Sequence, residues 1–375
     1  MEENFLNDSV TFSDFVIDNE YLNEVSDNVN YNKIIYSYYE RLFDKYKVLK
    51  NSLIPISKLY EIQNCNKFWL TNLYVENHVI DYLGTYSCKD KFCNNCKKLK
   101  QAVRLSRYTD LLSNFKSCLY HIVFTIPNVN GIDLHSSIDK MSISFRKLMR
   151  IIQGNYRCFI DFSKYDYLGA LRSLEVTFVK DLYHPHYHCF FAFKDLNLDK
   201  KFKNTYSYSN RSDNVRLFSE FEIILQKLWY MIYNNILLTK SNFDSIDLGY
   251  SVIVDKAKDE DFIEVFKYIT KATDEKGVVL SFENFETLYF SLYRIKQIQG
   301  YGVFYRIKDE EITNEEVNAI YKGIQLFLQT EEKEYFLMVK PRDLINLQNF
   351  DIISRKKIFK YLKENKKKNS LIDNI

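Results

Sequence analysis

The stretch that decides the fold is "YHPHYHCFFAF", residues 183–193, taken with "YLGALRSLEVTFV", residues 167–179, just ahead of it. Both runs are rich in β-branched and aromatic residues with a short polar break between them. They read as two strands of one hairpin. The turn is expected around Lys180–Pro185, with the second strand running as "HYHCFFAF" over 186–193. Strand side chains alternate between faces, so His186 and His188 point one way and Tyr187 the other. Two imidazoles side by side can chelate one divalent cation. A turn centred near 180–182 brings Glu175 close to opposite His186 or His188. An acid in an apolar strand is costly unless partnered, and a metal is such a partner. His184 precedes Pro185 and is expected in the turn, either sharing that face or exposed to solvent.

Outward from the hairpin, "CLYHIVFTI" (118–126) reads as a strand ending at Pro127-Asn128. "SSIDKMSISFRKLMRII" (136–152) has helical spacing, as does "LFSEFEIILQKLWYMIYNNI" (217–236). "YSVIVDKA" (250–257) reads as a strand and "EDFIEVFKYITKAT" (260–273) as a helix. The order β-α-β-β-α-β-α gives an α+β class with a ferredoxin-like core: a central antiparallel sheet with helices on one face. Around that core, residues 1–50 read as an acidic arm followed by a helix over 31–50, the arm being flexible or a short docking helix. Residues 51–107 hold a cysteine cluster, 108–300 the core, and 301–375 an extension expected to be helical with a basic tail.

Charge is unevenly placed. The formal net charge is +3, yet residues 1–32 carry eight acids and no Lys or Arg, which leaves +11 on the rest. The end, "RKKIFKYLKENKKKN" (355–369), has eight Lys/Arg and one Glu. A basic body suits a polyanion. No apolar run is long enough to span a membrane, and the start lacks the pattern of a signal peptide, so a cytoplasmic location is expected. Under reducing conditions clustered cysteines favour metal over disulfides. Cys88, Cys93 and Cys96 have C-x4-C-x2-C spacing. Cys65 can supply a fourth thiolate for a structural zinc site, and His78 is the alternative fourth ligand.

One further helix face carries chemistry. Glu264, Tyr268 and Lys271 fall at i, i+4 and i+7. Tyrosine is a poor nucleophile at neutral pH because its pKa is about 10. The Lys271 cation lowers that barrier, and attack on a metal-polarised phosphate would leave a phosphotyrosine-linked DNA end.

These segments resemble a known family. "HYH" with its bulky middle residue is similar to the HUH signature of tyrosine endonucleases that nick single-stranded DNA. "HPHYHCFFAF", "FTIPNV" (124–129), "GALRSLEVT" (169–177), "EVFKYITKATD" (264–274) and "CKDKFCNNCKKLK" (88–100) resemble motifs of the rolling-circle replication initiators of Gram-positive plasmids. The resemblance implies Tyr268 as nucleophile, with His186, His188 and, less directly, Glu175 as ligands of a divalent Mg or Mn ion. It implies Glu264 as the base that activates water at termination. A second tyrosine of some initiators is replaced here by Glu264. The implied partners are single-stranded or hairpin origin DNA and a host helicase and polymerase, with homo-oligomerisation open. A transposase, a mobilisation relaxase or a non-catalytic zinc-containing DNA-binding protein are the alternatives.

Overall fold

A computed structural model describes residues 19–47, 55–65, 69–74, 79–85, 87–200, 202–203, 217–247, 249–266, 280–307 and 313. The chain divides into two compact units, residues 1–107 with 311–375, and residues 108–310.

The first unit begins with helix α1 (Asn19–Tyr46). Tyr31, Ile35, Tyr39 and Leu42 recur every three or four residues and are all buried, which is the apolar stripe that lets a helix dock. The acidic segment is therefore already helical from Asn19, ahead of the start expected at residue 31. Helix α2 (Ile56–Asn64) follows, then an antiparallel hairpin of β1 (Trp69–Tyr74) and β2 (Val79–Thr85) that the sequence reading lacked. Helix α3 (Asn94–Ser113) runs across the boundary between the units. Asp90 ties the first unit together: Tyr39 Oη donates to it at 2.8 Å and Lys58 Nζ lies 3.1 Å away.

The second unit is built on a sheet. Its elements in chain order are β3 (Leu119–Thr125), β4 (Val129–Asn130), α4 (Leu134–Ile152), β5 (Tyr167–Val179), β6 (Leu182–Phe193), β7 (Phe202–Lys203) and β8 (Leu217–Phe218). They continue with α5 (Glu220–Tyr233), α6 (Lys240–Asp244), β9 (Val252–Lys256), α7 (Asp259–Val265), α8 (Phe282–Ser291) and β10 (Ile298–Gly302). The main sheet has the order β10-β5-β6-β3-β9, every neighbour antiparallel, with β4 extending the pairing of β6. Strand β10 sits outside β5 and was not among the expected strands.

The β5–β6 turn is tighter than the sequence suggested. Val179 pairs with Leu182, leaving only Lys180 and Asp181 between the strands, and Lys180 takes φ 53°. His184 and Pro185 thus belong to β6, not to a turn, and alternation puts His184 on the face of His186 and His188. Proline is tolerated because of its place in the ladder. The pairing of β6 with β3 stops at His186 and its pairing with β4 starts at Tyr183, so Pro185 falls in the gap. Asn284 of α8 holds the hairpin end, donating through Nδ2 to the Lys180 carbonyl at 2.7 Å and to Tyr183 Oη at 2.8 Å.

Alternation gives each sheet face its own task. Phe124, Tyr187 and Phe191 point to α4 and α5. Phe145 of α4 meets all three, at ring-centroid distances of 5.6, 5.3 and 6.2 Å. Phe145→Ala is expected to cost about 3–5 kcal/mol of unfolding free energy, the usual loss for a buried Phe. Urea titration checks it. The opposite face carries the histidines and is covered by α7, whose Phe262 ring lies 4.9 Å from that of Phe190. The two crossover helices α4 and α5 therefore share one face, as expected for the core, and α7 covers the other. The helix read over 260–273 is described only as Asp259–Val265, capped by Phe266. Tyr268, Lys271, His78 and the basic tail lie outside the described residues. No helix among the described residues is long and apolar enough to cross a membrane.

Candidate metal centres

Register brings the first group together. Glu175 of β5 pairs directly with His186 of β6, and Ser173 pairs with His188, so one hairpin face offers a carboxylate and two imidazoles. Glu175 Oε2 lies 3.2 Å from His186 Nε2 and 3.2 Å from His188 Nε2. Glu175 is 4% exposed and His186 8%.

The outer ring nitrogens fix how these imidazoles are protonated. His186 Nδ1 lies 3.0 Å from the carbonyl of His184, so it carries a proton and donates it. In the neutral ring this leaves the His186 Nε2 lone pair directed at the space beside Glu175 Oε2. His188 repeats the pattern one step further out. Its Nδ1 lies 3.2 Å from His121 Nε2, and His121 Nδ1 lies 3.0 Å from Asp261 Oδ1. With His121 in its neutral form the protons run outward: His121 donates to Asp261, its Nε2 accepts from His188 Nδ1, and His188 Nε2 is free to act as a ligand. In that arrangement two imidazole nitrogens and one carboxylate oxygen converge in a buried space, a donor set that suits a cation. Ligands about 2.1 Å from a shared ion lie roughly 3.0–3.4 Å apart, close to the separations here. Burial, together with the nearby His186 and His121, holds the His188 pKa below its ordinary value despite Glu175, favouring the neutral ligand form. Burial opposes ionisation of Asp261, but hydrogen bonds from His121 and the Lys258 backbone outweigh it, and its pKa lies below the usual carboxylate range. An acceptor-only carboxylate is what the relay requires.

His121 and Asp261 were missed from sequence. His121 lies in the strand read over 118–126, and its alternation was available. What was missing was that β3 lies directly beside β6, which pairs Val123 with His188 and places His121 one step along the same face. Glu264 is on α7, one turn beyond Asp261.

Four cysteines form the second group. Cys65, at the end of α2, reaches the loop and first turn carrying Cys88, Cys93 and Cys96. Sγ separations are 3.6 Å for Cys65–Cys93 and 3.5 Å for both Cys65–Cys96 and Cys88–Cys96. A tetrahedral zinc with Zn–S about 2.3 Å implies roughly 3.8 Å between sulfurs. All four sulfurs lie within 4.8 Å of one another and all four residues are buried. Hydrogen bonds from Cys65, Cys88 and Cys93, and a weaker one from Ser87, hold Cys96 well below its ordinary pKa. Burial pushes neighbouring Lys97 down to about 7, with the Cys93 and Asp90 charges opposing the shift. A closed, buried cluster of four thiols suits a structural ion and leaves no position open for chemistry.

Comparison with known proteins adds the family. A family model described as "Replication protein" matches residues 82–340. The chain is 26% identical over 231 residues to "Protein rep" of Streptococcus pneumoniae serotype 2 (strain D39 / NCTC 7466), covering 59% of this chain and 62% of that protein. It is 29% identical over 151 residues to "Protein rep" of Staphylococcus aureus, covering 38% of this chain and 61% of that protein. The matches thus span about three fifths of the length of these curated relatives. No solved structure matches. The matched segment includes three of the four cysteines, the histidine hairpin and α7. On that match, the chain belongs to the replication protein family.

Proposed function

We propose that this chain initiates rolling-circle replication of a plasmid by nicking and rejoining single-stranded origin DNA in the cytoplasm. The observation that carries the reading is the approach of one buried carboxylate oxygen, Glu175 Oε2, to two imidazole Nε2 atoms at 3.2 Å. Residues 108–300 are the nicking domain, a ferredoxin-like HUH core. The order β5-β6-β3-β9, in which β3 and β6 each interleave the other's crossover pair, supports it. Residues 51–107 form a zinc-braced DNA-binding segment, and the basic tail binds phosphates.

Glu175, His186 and His188 would hold a divalent ion. Imidazole ligation favours Mn²⁺ over Mg²⁺ in affinity. When bound, that ion neutralises charge on the scissile phosphate. The chain supplies the rest. Tyr268 Oη loses its proton to solvent water and bonds to phosphorus. The P–O3′ bond breaks, and the 3′-oxygen takes a proton from solvent water and leaves as a free hydroxyl. Lys271 stabilises the phenolate. The product is a 5′-phosphotyrosine, and the 3′-OH serves a host polymerase behind a host helicase. At termination Glu264 takes a proton from water, which displaces Tyr268. The experiment is cleavage of a labelled single-stranded hairpin oligonucleotide carrying the origin, with Mn²⁺ or with EDTA. Metal-dependent cleavage leaving a covalent protein–DNA band supports the reading, and no cleavage in either condition contradicts it.

The Asp261–His121 relay has its own consequence. Asp261→Asn replaces an acceptor-only carboxylate by an amide, and the outward run of protons is no longer enforced. A loss of about 10–100-fold in Mn²⁺ affinity is expected. Calorimetric titration of the metal measures it, and unchanged affinity rules the relay out.

A further inference from the structure

The sheet is chemically two-sided at the hairpin. Arg172 lies three residues from Glu175 on β5, so it faces the other way, and it shares that opposite face with Tyr187. Both residues line a cavity of about 330 Å³ under α4, at the lower end of the range of small-ligand sites. Arg172 is 3% exposed and Tyr187 is fully buried. Burying a guanidinium is costly unless a partner supplies negative charge. No carboxylate pairs with Arg172 among the described residues. Its contacts include Gln299 Oε1, to which it donates at 3.2 Å, and the Tyr187 ring, 4.8 Å below it. Among the described residues its Nε–H and the Tyr187 hydroxyl have no hydrogen-bond partner. At the rim stand the exposed cations Arg146, Arg294 and Lys296, against the single carboxylate of Asp139 among the described lining residues.

We infer that this cavity is a phosphate-binding site, taking the phosphate of a nucleotide or of a DNA strand on the α4 face, back to back with the Glu175–His186–His188 group. The site offers what a phosphate needs: a planar guanidinium fork at the base, a phenol hydroxyl beside it, and three flexible cations to neutralise the outer oxygens. It is a binding site on the far side of the sheet from the histidines, and it stands whether or not the chain nicks DNA.

The test is calorimetric titration of the full chain in divalent-free buffer at about 0.1 M salt, where long-range attraction is largely screened. The probes are inorganic phosphate, thymidine monophosphate and 5′-phosphorylated hexathymidylate. Saturable binding is expected for at least the monophosphate or the oligonucleotide. Arg294→Glu with Lys296→Glu, both on the surface, is expected to weaken it at least tenfold. Arg172→Lys keeps the charge, loses the fork and is expected to weaken it severalfold. Lys147→Glu with Arg150→Glu reverses two cations of α4 that do not line the cavity, and is expected to leave binding within twofold of wild type. Tighter binding of the oligonucleotide, with the same dependence on Arg294 and Lys296, identifies a DNA phosphate. Binding of the monophosphate that the oligonucleotide does not compete for identifies a nucleotide. Either supports the site. Absence of saturable binding by any probe, an unaffected Arg294→Glu/Lys296→Glu variant, or an equal loss in the Lys147→Glu/Arg150→Glu control overturns it.

Discussion

Alanine at both His186 and His188 is expected to lower metal-dependent cleavage of a single-stranded origin oligonucleotide by a thousandfold or more. Charge stabilisation by a bound ion is worth several kcal/mol, and each 1.4 kcal/mol or so is a factor of ten in rate. Glu175 alone cannot keep the ion. It would be one carboxylate, 4% exposed, with neither imidazole to complete the donor set. The fold should survive, because the sheet around this group is held by Phe124, Phe145, Phe191 and Trp229 on the opposite face. The readout is therefore a pair of measurements: single-turnover cleavage at saturating Mn²⁺, and the urea midpoint. A thousandfold rate loss with a preserved midpoint is the expected result. Cleavage within tenfold of wild type would remove the histidines from the chemistry.

Tyr268→Phe carries the second large effect. It deletes one oxygen and leaves the ring, so binding of origin DNA should stay within about twofold of wild type. The covalent adduct should vanish, because no other atom of that side chain can bond to phosphorus. Gel shift measures the first quantity and a denaturing gel of radiolabelled DNA the second. An adduct that persists at wild-type yield would exclude Tyr268 as the nucleophile.

Much of the second unit is legible in the sequence, and the reason is local. β3, β5, β6 and β9 are runs of β-branched and aromatic residues bounded by polar breaks, and α4 and α5 have clean helical spacing. A tight turn transmits register, so the sequence brings Glu175 close to opposite His186 or His188, and the observed two-residue turn selects His186. The misses are tertiary. Pro185 suggests a longer turn, and only the gap between the β3 and β4 pairings explains why it sits in a strand. β10 is "IQGYG", weak in strand formers. Its glycines answer to contacts made elsewhere: a Cβ on Gly300 would collide with the Phe304 carbonyl, and Gly302 takes φ 60°. The His121–Asp261 relay joins residues 140 positions apart and needs the strand order to be seen. The four-cysteine group was readable because three of its members lie within nine residues and Cys65 is the nearest upstream thiol. Arg172 sits unremarked in an apolar strand, and only the fold shows that it lines the cavity beneath α4.

In the proposed reading the histidine hairpin and Tyr268 are two halves of one nicking site. Its most direct test is chemical. The full chain is incubated with Mn²⁺ and a radiolabelled hairpin oligonucleotide, the adduct is trapped with denaturant and digested with protease and nuclease, and the modified peptide is sequenced by mass spectrometry. A nucleotide on the Tyr268 oxygen, formed only with metal and absent from the His186→Ala/His188→Ala variant, is the predicted result. A nucleotide on any other residue, or an adduct that forms equally well without the histidines, would contradict the account.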